Sequence, residues 1–289
     1  MTDENQTAPA PDEPLAARLR PPLNERLYRT EAIVLARMNL GEADRIFTLF
    51  TPHYGKLRVI AKGVRKSRSR LGPHLEIFTR CQLNLTRGRD LDVVTSAETV
   101  DAYPPLRDDL DVLGHASHLV ELVARLTEDR QEQEPVYNLL RGSLRLLADG
   151  VDPFAVTRHF EFMLLVTLGY RPELYRCLES GEPLEATTNV FSSNRGGMLS
   201  MACRGADPRA VPVTLNTQKY LRELDRNGLG NIVRLRVPAD TKRELEAVLG
   251  GYLRHLTERD LNSLDVWRQM QRSLPSRRVG GDTGPEGTG

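Results

Sequence analysis

The sequence predicts an α+β chain of at least two domains, a small N-terminal β-barrel followed by an α-helical domain. Two observations carry this. Five short β-like runs fall within about eighty residues with no helix of comparable length among them. Past Tyr103-Pro104-Pro105 the apolar residues change to helical spacing. A third observation divides the chain at the same place. Residues 24–105 hold 14 Lys/Arg against 9 Asp/Glu, a net of +5, whereas residues 106–270 hold 21 against 24, a net of −3. The whole-chain net charge of +1 hides this asymmetry, which points to a polyanionic partner for the N-terminal half alone.

The elements follow in order. Residues 1–23 are rich in Pro, Ala and acid and have no apolar core, so a disordered leader is expected rather than a signal peptide. The first strand is read at Thr30–Met38 (TEAIVLARM), with Ile33 and Val34 at its apolar centre, and the second at Ile46–Phe50, ended by Thr51-Pro52 and a turn near Gly55. Lys56–Lys62 (KLRVIAK) alternates charged and apolar positions as a half-buried strand does. Leu75–Thr86 and Leu91–Val100 complete the barrel, joined by the hairpin turn Arg87-Gly88-Arg89-Asp90. This gives a barrel domain over residues 24–105.

The helical domain is expected over residues 106–270. Leu110, Leu113, His118, Leu119, Leu122, Val123 and Leu126 form one helix face. A second helix spans about Pro135–Ala148, closed by Asp149-Gly150. A third opens at Asp152-Pro153, an N-cap followed by proline, and ends near Gly169. Two more are read at Asn216–Arg226 and Asp240–Thr257, the latter with Thr241 and Glu244 at capping-box spacing. Between helices, Arg171–Pro212 reads as an irregular insertion, and residues 271–289 as a low-complexity, disordered tail. No window approaches a membrane span, and three cysteines do not make a secreted disulfide framework, so a reduced, cytoplasmic protein is expected.

The strongest chemical signal is the absence of Asp or Glu over the thirty-one residues from Arg45 to Leu75, within which stand Lys56, Arg58, Lys62, Arg65, Lys66, Arg68 and Arg70. Lys56, Arg58 and Lys62 fall on one strand face, and Gly63–Gly72 reads as a flexible basic loop. Cations at extended spacing suit a phosphate backbone, each neutralised phosphate releasing a counterion. A solvated basic face is the alternative. Among the aromatic residues near the strands, Tyr54 is the candidate for base stacking, because it stands at a turn.

Catalytic patterns are lacking: there is no P-loop, dinucleotide turn, HExxH or nucleophile elbow. Asp108, Asp109 and Asp111 could serve a metal nuclease, but they open a helix, where acid complements the dipole. Cys177 and Cys203 lie in CLESG…GGMLSMAC, the layout of a four-thiolate zinc ribbon with Ser180 and Ser200 in place of two cysteines. Serine is a poor zinc ligand, so two free cysteines and no bound metal or other cofactor are expected.

The barrel segment Tyr28–Gly72, the helix containing FEFMLLVTLGYRPEL and the Cys177–Cys203 excursion together resemble the RecO family over roughly residues 27–270. The resemblance implies an N-terminal OB-fold, a helical domain with a zinc-ribbon-like insertion that is degenerate here, and a DNA repair and recombination mediator without catalytic activity. It implies binding of single- and double-stranded DNA and annealing of complementary strands. The partners it implies are RecR and the C-terminal tail of the single-stranded DNA-binding protein SSB, with RecA loaded indirectly. The basic surface of such a barrel maps onto Lys56, Arg58, Lys62, Arg65, Lys66, Arg68 and Arg70. A generic OB-fold binder of single-stranded DNA or RNA is the alternative.

Overall fold

In the computed structural model, residues 26–227 and 237–257 are described. The leader, the tail and the last part of the expected helical domain lie outside them. The barrel consists of β1 (Leu27–Leu40), β2 (Asp44–Thr51), β3 (Gly55–Ala61), β4 (Arg80–Thr86) and β5 (Asp92–Asp101). They close in the order β1-β2-β3-β5-β4, with β3 and β5 parallel and the other pairings antiparallel. This is an OB-like barrel. The expected fourth strand began at Leu75, but β4 starts at Arg80. A short 3₁₀ turn at Gly72–His74 and a left-handed Phe78 (φ 73°) bend the chain first, so that Leu75 fills the barrel and Phe78 the neighbouring core.

Strand periodicity explains how the barrel joins the rest. Ala32 and Val34 of β1 point into the barrel core with Phe47, Leu49, Leu57, Val59 and Leu83. Ile33, Leu35 and Phe50 point outward into a second core, shared with the helices. The apolar run at Ile33-Val34 is therefore a strand buried on both faces. Burying three large apolar side chains across this seam stabilises the docking by about 1.5–3 kcal/mol each, as an upper estimate.

The helical domain contains α1 (Pro105–Asp108), α2 (Leu110–Leu126), α3 (Glu134–Ala148), α4 (Pro153–Thr167), α5 (Leu215–Asn227) and α6 (Ala239–Thr257). Asp152 caps α4 by accepting from the Phe154 N–H, and Gly150 and Gly169 take the positive φ that ends α3 and α4. Leu110, expected on the apolar face of α2, is exposed, because it opens the helix before that face meets a partner. The capping box predicted for α6 does not form. The Glu244 carboxylate instead accepts from the Thr214 N–H (2.9 Å) and the Thr217 hydroxyl (2.6 Å), capping the neighbouring helix α5. Burial opposes ionisation there, but these hydrogen bonds hold the Glu244 carboxyl below its ordinary range.

The insertion is more regular than expected. Three short antiparallel strands, β6 (Asn189–Ser192), β7 (Gly197–Leu199) and β8 (Val211–Val213), form a sheet in the order β7-β6-β8. Strands of three or four residues are too short for alternation to show in the sequence. Among the described residues, no helix is long and apolar enough to cross a membrane.

Candidate nucleic-acid interface

Six of the seven predicted cations are exposed: Arg58 on β3, then Lys62, Arg65, Lys66, Arg68 and Arg70 in the segment that follows. Among the described residues, none of the six is in an ion pair with a carboxylate. The segment is a built turn rather than a loose loop. Lys66 N–H donates to Gly63 O and Ser69 N–H to Lys66 O, while Val64 plugs the barrel core. Gly63 N–H donates to the Asp44 carboxylate (2.7 Å), Arg65 N–H to Ala43 O (2.9 Å) and the Arg65 guanidinium to Gly41 O (2.9 Å). These bonds fix the basic turn beside the β1–β2 turn.

The seventh cation is different. Lys56 shares the outward parity of Arg58, yet its ammonium donates to Ala124 O (2.7 Å) and Thr127 O (2.6 Å) and lies 3.3 Å from Asp129. Carbonyls at a helix C-terminus carry partial negative charge, and Lys56 caps those of α2. The expectation that Lys56 faces a polyanion is corrected: it holds the barrel to the helical domain. Sequence could place Lys56 on the right face, but not a helix end on top of it.

The strand registers define the surface between. Arg58 stands opposite Thr48, which stands opposite Ala36. The next outward row is Ile60, Ile46 and Met38, with Met38 54% exposed. Ile46 in this row is buried and Ile60 half-buried, so the exposed Met38 is its apolar contact point, on the outward face that also carries Arg58 and Lys62. Sequence reading missed this row, because its members come from three strands. It also passed over Arg89, exposed in the β4–β5 turn, the turn that with β1–β2 flanks the ligand face in OB folds.

Tyr54 is not a stacking platform in this arrangement. Its ring packs against Tyr28, with centroids 4.9 Å apart, at the edge of the barrel core. Tyr28 is in turn tied by its hydroxyl to the buried Asp92 (2.6 Å), which also meets Arg130 (3.2 Å). The Asp108–Asp111 group likewise resolves into a helix start, since the Asp109 carboxylate accepts from the N–H groups of Asp111 and Val112.

The four zinc-ribbon positions also have a definite geometry. Cys177 is buried, and its sulfur accepts from the Ser200 N–H at 3.3 Å; Cys203 packs against the same small core. The Ser180 hydroxyl accepts from the Glu182 N–H. Only two of the four donors are thiols, and the serine hydroxyls do not ionise readily, so the residues present do not fit a four-thiolate metal centre. Burial disfavours the Cys177 thiolate, but the Ser180 hydroxyl and the N–H groups of Ser180, Ser200 and Glu179 outweigh it and bring the thiol down to about 6. The ultraviolet thiolate absorbance of the native protein should therefore rise with a midpoint near 6, and Cys177→Ser should remove that step.

Residues 26–103 match the family model described as recombination protein O N terminal, and residues 107–265 match recombination protein O C terminal. This chain belongs to the RecO family. A DNA repair protein RecO of Roseiflexus sp. (strain RS-1) is 42% identical over 261 residues, covering 89% of this chain and 92% of that protein. Proteins of the same name from Dehalococcoides mccartyi (33% over 240 residues, 83% and 94% covered) and Heliobacterium modesticaldum (38% over 256 residues, 86% and 92%) are also similar. The RecO matches divide at the barrel–helix boundary, where the net charge of the sequence changes sign.

Proposed function

We propose that this RecO-family chain is a non-catalytic mediator of DNA repair and homologous recombination. In this reading Arg58, Lys62, Arg65, Lys66, Arg68 and Arg70 grip the phosphate backbone of single- or double-stranded DNA. The barrel brings complementary strands together, and the helical domain docks protein partners. Those partners are RecR and the SSB tail, with RecA loaded indirectly onto SSB-coated DNA in the cytoplasm. The observation that carries the reading is the set of six exposed cations, free of carboxylate ion pairs among the described residues, on an OB-like barrel in a chain that matches RecO over both domains.

The chemistry asked of the protein is electrostatic. Two complementary strands repel each other, and a surface that neutralises several phosphates on each lowers the barrier to pairing without any bond being made or broken. Annealing of complementary, SSB-coated oligonucleotides without ATP tests this. The combined Lys62→Ala, Arg65→Ala and Arg68→Ala variant is expected to anneal at least about tenfold more slowly, from the loss of some three phosphate contacts. Undiminished annealing would remove these residues from the interface. Wild-type DNA binding with no capture of RecR or SSB would favour a generic OB-fold binder.

A further inference from the structure

We propose that His53, Glu132 and Glu134 form a binding site for a divalent transition-metal ion of the zinc kind, bridging the barrel and the helical domain. The three side chains offer one imidazole nitrogen and two carboxylate oxygens, all within 4.8 Å of one another. They come from two segments: His53 from the β2–β3 turn, Glu132 and Glu134 from the α2–α3 connection and the first residue of α3. That imidazole–carboxylate set is one that zinc and its neighbours accept, whereas magnesium avoids nitrogen.

Both segments are held rigidly before any ion arrives. Within the turn, the Thr51 hydroxyl donates to Gly55 O (3.0 Å) and accepts from the Tyr54 N–H (3.1 Å). Alongside, Arg130 N–H donates to Lys56 O (2.9 Å), and Lys56 clamps the end of α2. The two backbones are pressed together at Gly55 (φ +59°), where a Cβ would stand 1.8 Å from Gln131 O. The donors therefore project from a seam that admits only glycine.

The imidazole is the least exposed member of the set, its side chain 19% exposed. His53 Nδ1 is shielded from solvent and makes no hydrogen bond within the protein. It stands 3.5 Å from Glu132 Oε1, beyond a normal N–H···O bond. At metal–ligand distances of about 2.1 Å, the edge of a tetrahedral site is roughly 3.5 Å. The buried nitrogen and one carboxylate already stand at that separation, and Glu134, which is exposed, closes by side-chain rotation. A bound ion would add a further tie between the domains, next to Lys56 and the Arg130–Asp92 pair. It would stabilise the docked arrangement in proportion to its occupancy.

The test is equilibrium dialysis of the full chain against zinc alone after chelator treatment, in a Cys177→Ser/Cys203→Ser background that removes the thiols of the insertion. The expected result is one equivalent of zinc, not displaced by excess magnesium, with a raised unfolding midpoint. Adding His53→Ala should weaken binding at least about tenfold, and Glu134→Gln, which keeps the shape of the side chain, should do so with the metal-free midpoint unchanged. Loss of all zinc in the double-cysteine background would overturn the site. So would retention of full affinity in both His53→Ala and Glu134→Gln.

Discussion

Replacing Glu161 by alanine is expected to destabilise the fold by about 3–5 kcal/mol. Glu161 lies on α4 in the helical core and is 1% exposed; Arg158, one turn earlier, is 2% exposed. Its Oε1 accepts from Arg158 Nη2 (2.9 Å) and meets His118 Nε2 (2.7 Å). Next to them, His115 meets the Thr157 hydroxyl at 2.7 Å. Removing the carboxylate strands a guanidinium in an apolar core, and that uncompensated charge, rather than the lost attraction, sets the cost. Denaturant unfolding of Glu161→Ala measures it. A second variant separates the two terms: replacing Arg158, Glu161 and His118 together by Met, Leu and Leu should recover most of the loss. A loss below about 1 kcal/mol for the single variant would contradict the burial of this charge.

The same cluster gives the protein a sign to its acid sensitivity. Burial opposes ionisation of Glu161, but Arg158 and the two histidines outweigh it and hold the carboxyl below its usual range. Asp92 is depressed similarly, burial being outweighed by the Tyr28 hydroxyl, Arg130 and the Gly88 N–H. Groups lowered on folding contribute their full stability above the unfolded carboxylate pKa of about 4 and lose it as the pH falls through the folded values.

Neutralising Arg58, Lys62, Arg65 and Arg68 together is expected to cut affinity for single-stranded DNA by about two orders of magnitude. The slope of log affinity against log salt should flatten by about 2 to 3, since each lost phosphate contact removes roughly 0.7. All four side chains are exposed, and losing the Arg65 bond to Gly41 O at the surface costs little, so the unfolding midpoint should hardly move. Lys56→Met is the contrasting variant. Its ammonium is bonded to α2, so stability should fall while the salt slope stays near that of the wild type. Equal flattening by Lys56→Met would show that the whole strand face, and not the exposed subset, meets DNA.

Much of the barrel could be read because its strands are long enough for period-two alternation, and Lys56–Lys62 shows it plainly. The helices were read from apolar spacing and, at α4, from its cap, where Asp152-Pro153 does what its local sequence says. Glu244 failed because a carboxylate at capping-box spacing cannot know that a neighbouring helix offers three donors closer than its own. The three strands of the insertion failed for want of length.

By itself the sequence determined the division into a basic barrel and a mildly acidic helical domain, the order of most elements, and which segment carries exposed cations. These are properties of local period, local capping and summed charge, and they need no partner. Only the tertiary structure decided that Lys56 caps a helix, that Tyr54 packs on Tyr28, that Met38, Ile46 and Ile60 form one row, and that His53 stands 3.5 Å from Glu132. Each of those depends on which distant segment lies within about 4 Å of the side chain, a distance that no pattern along the chain encodes.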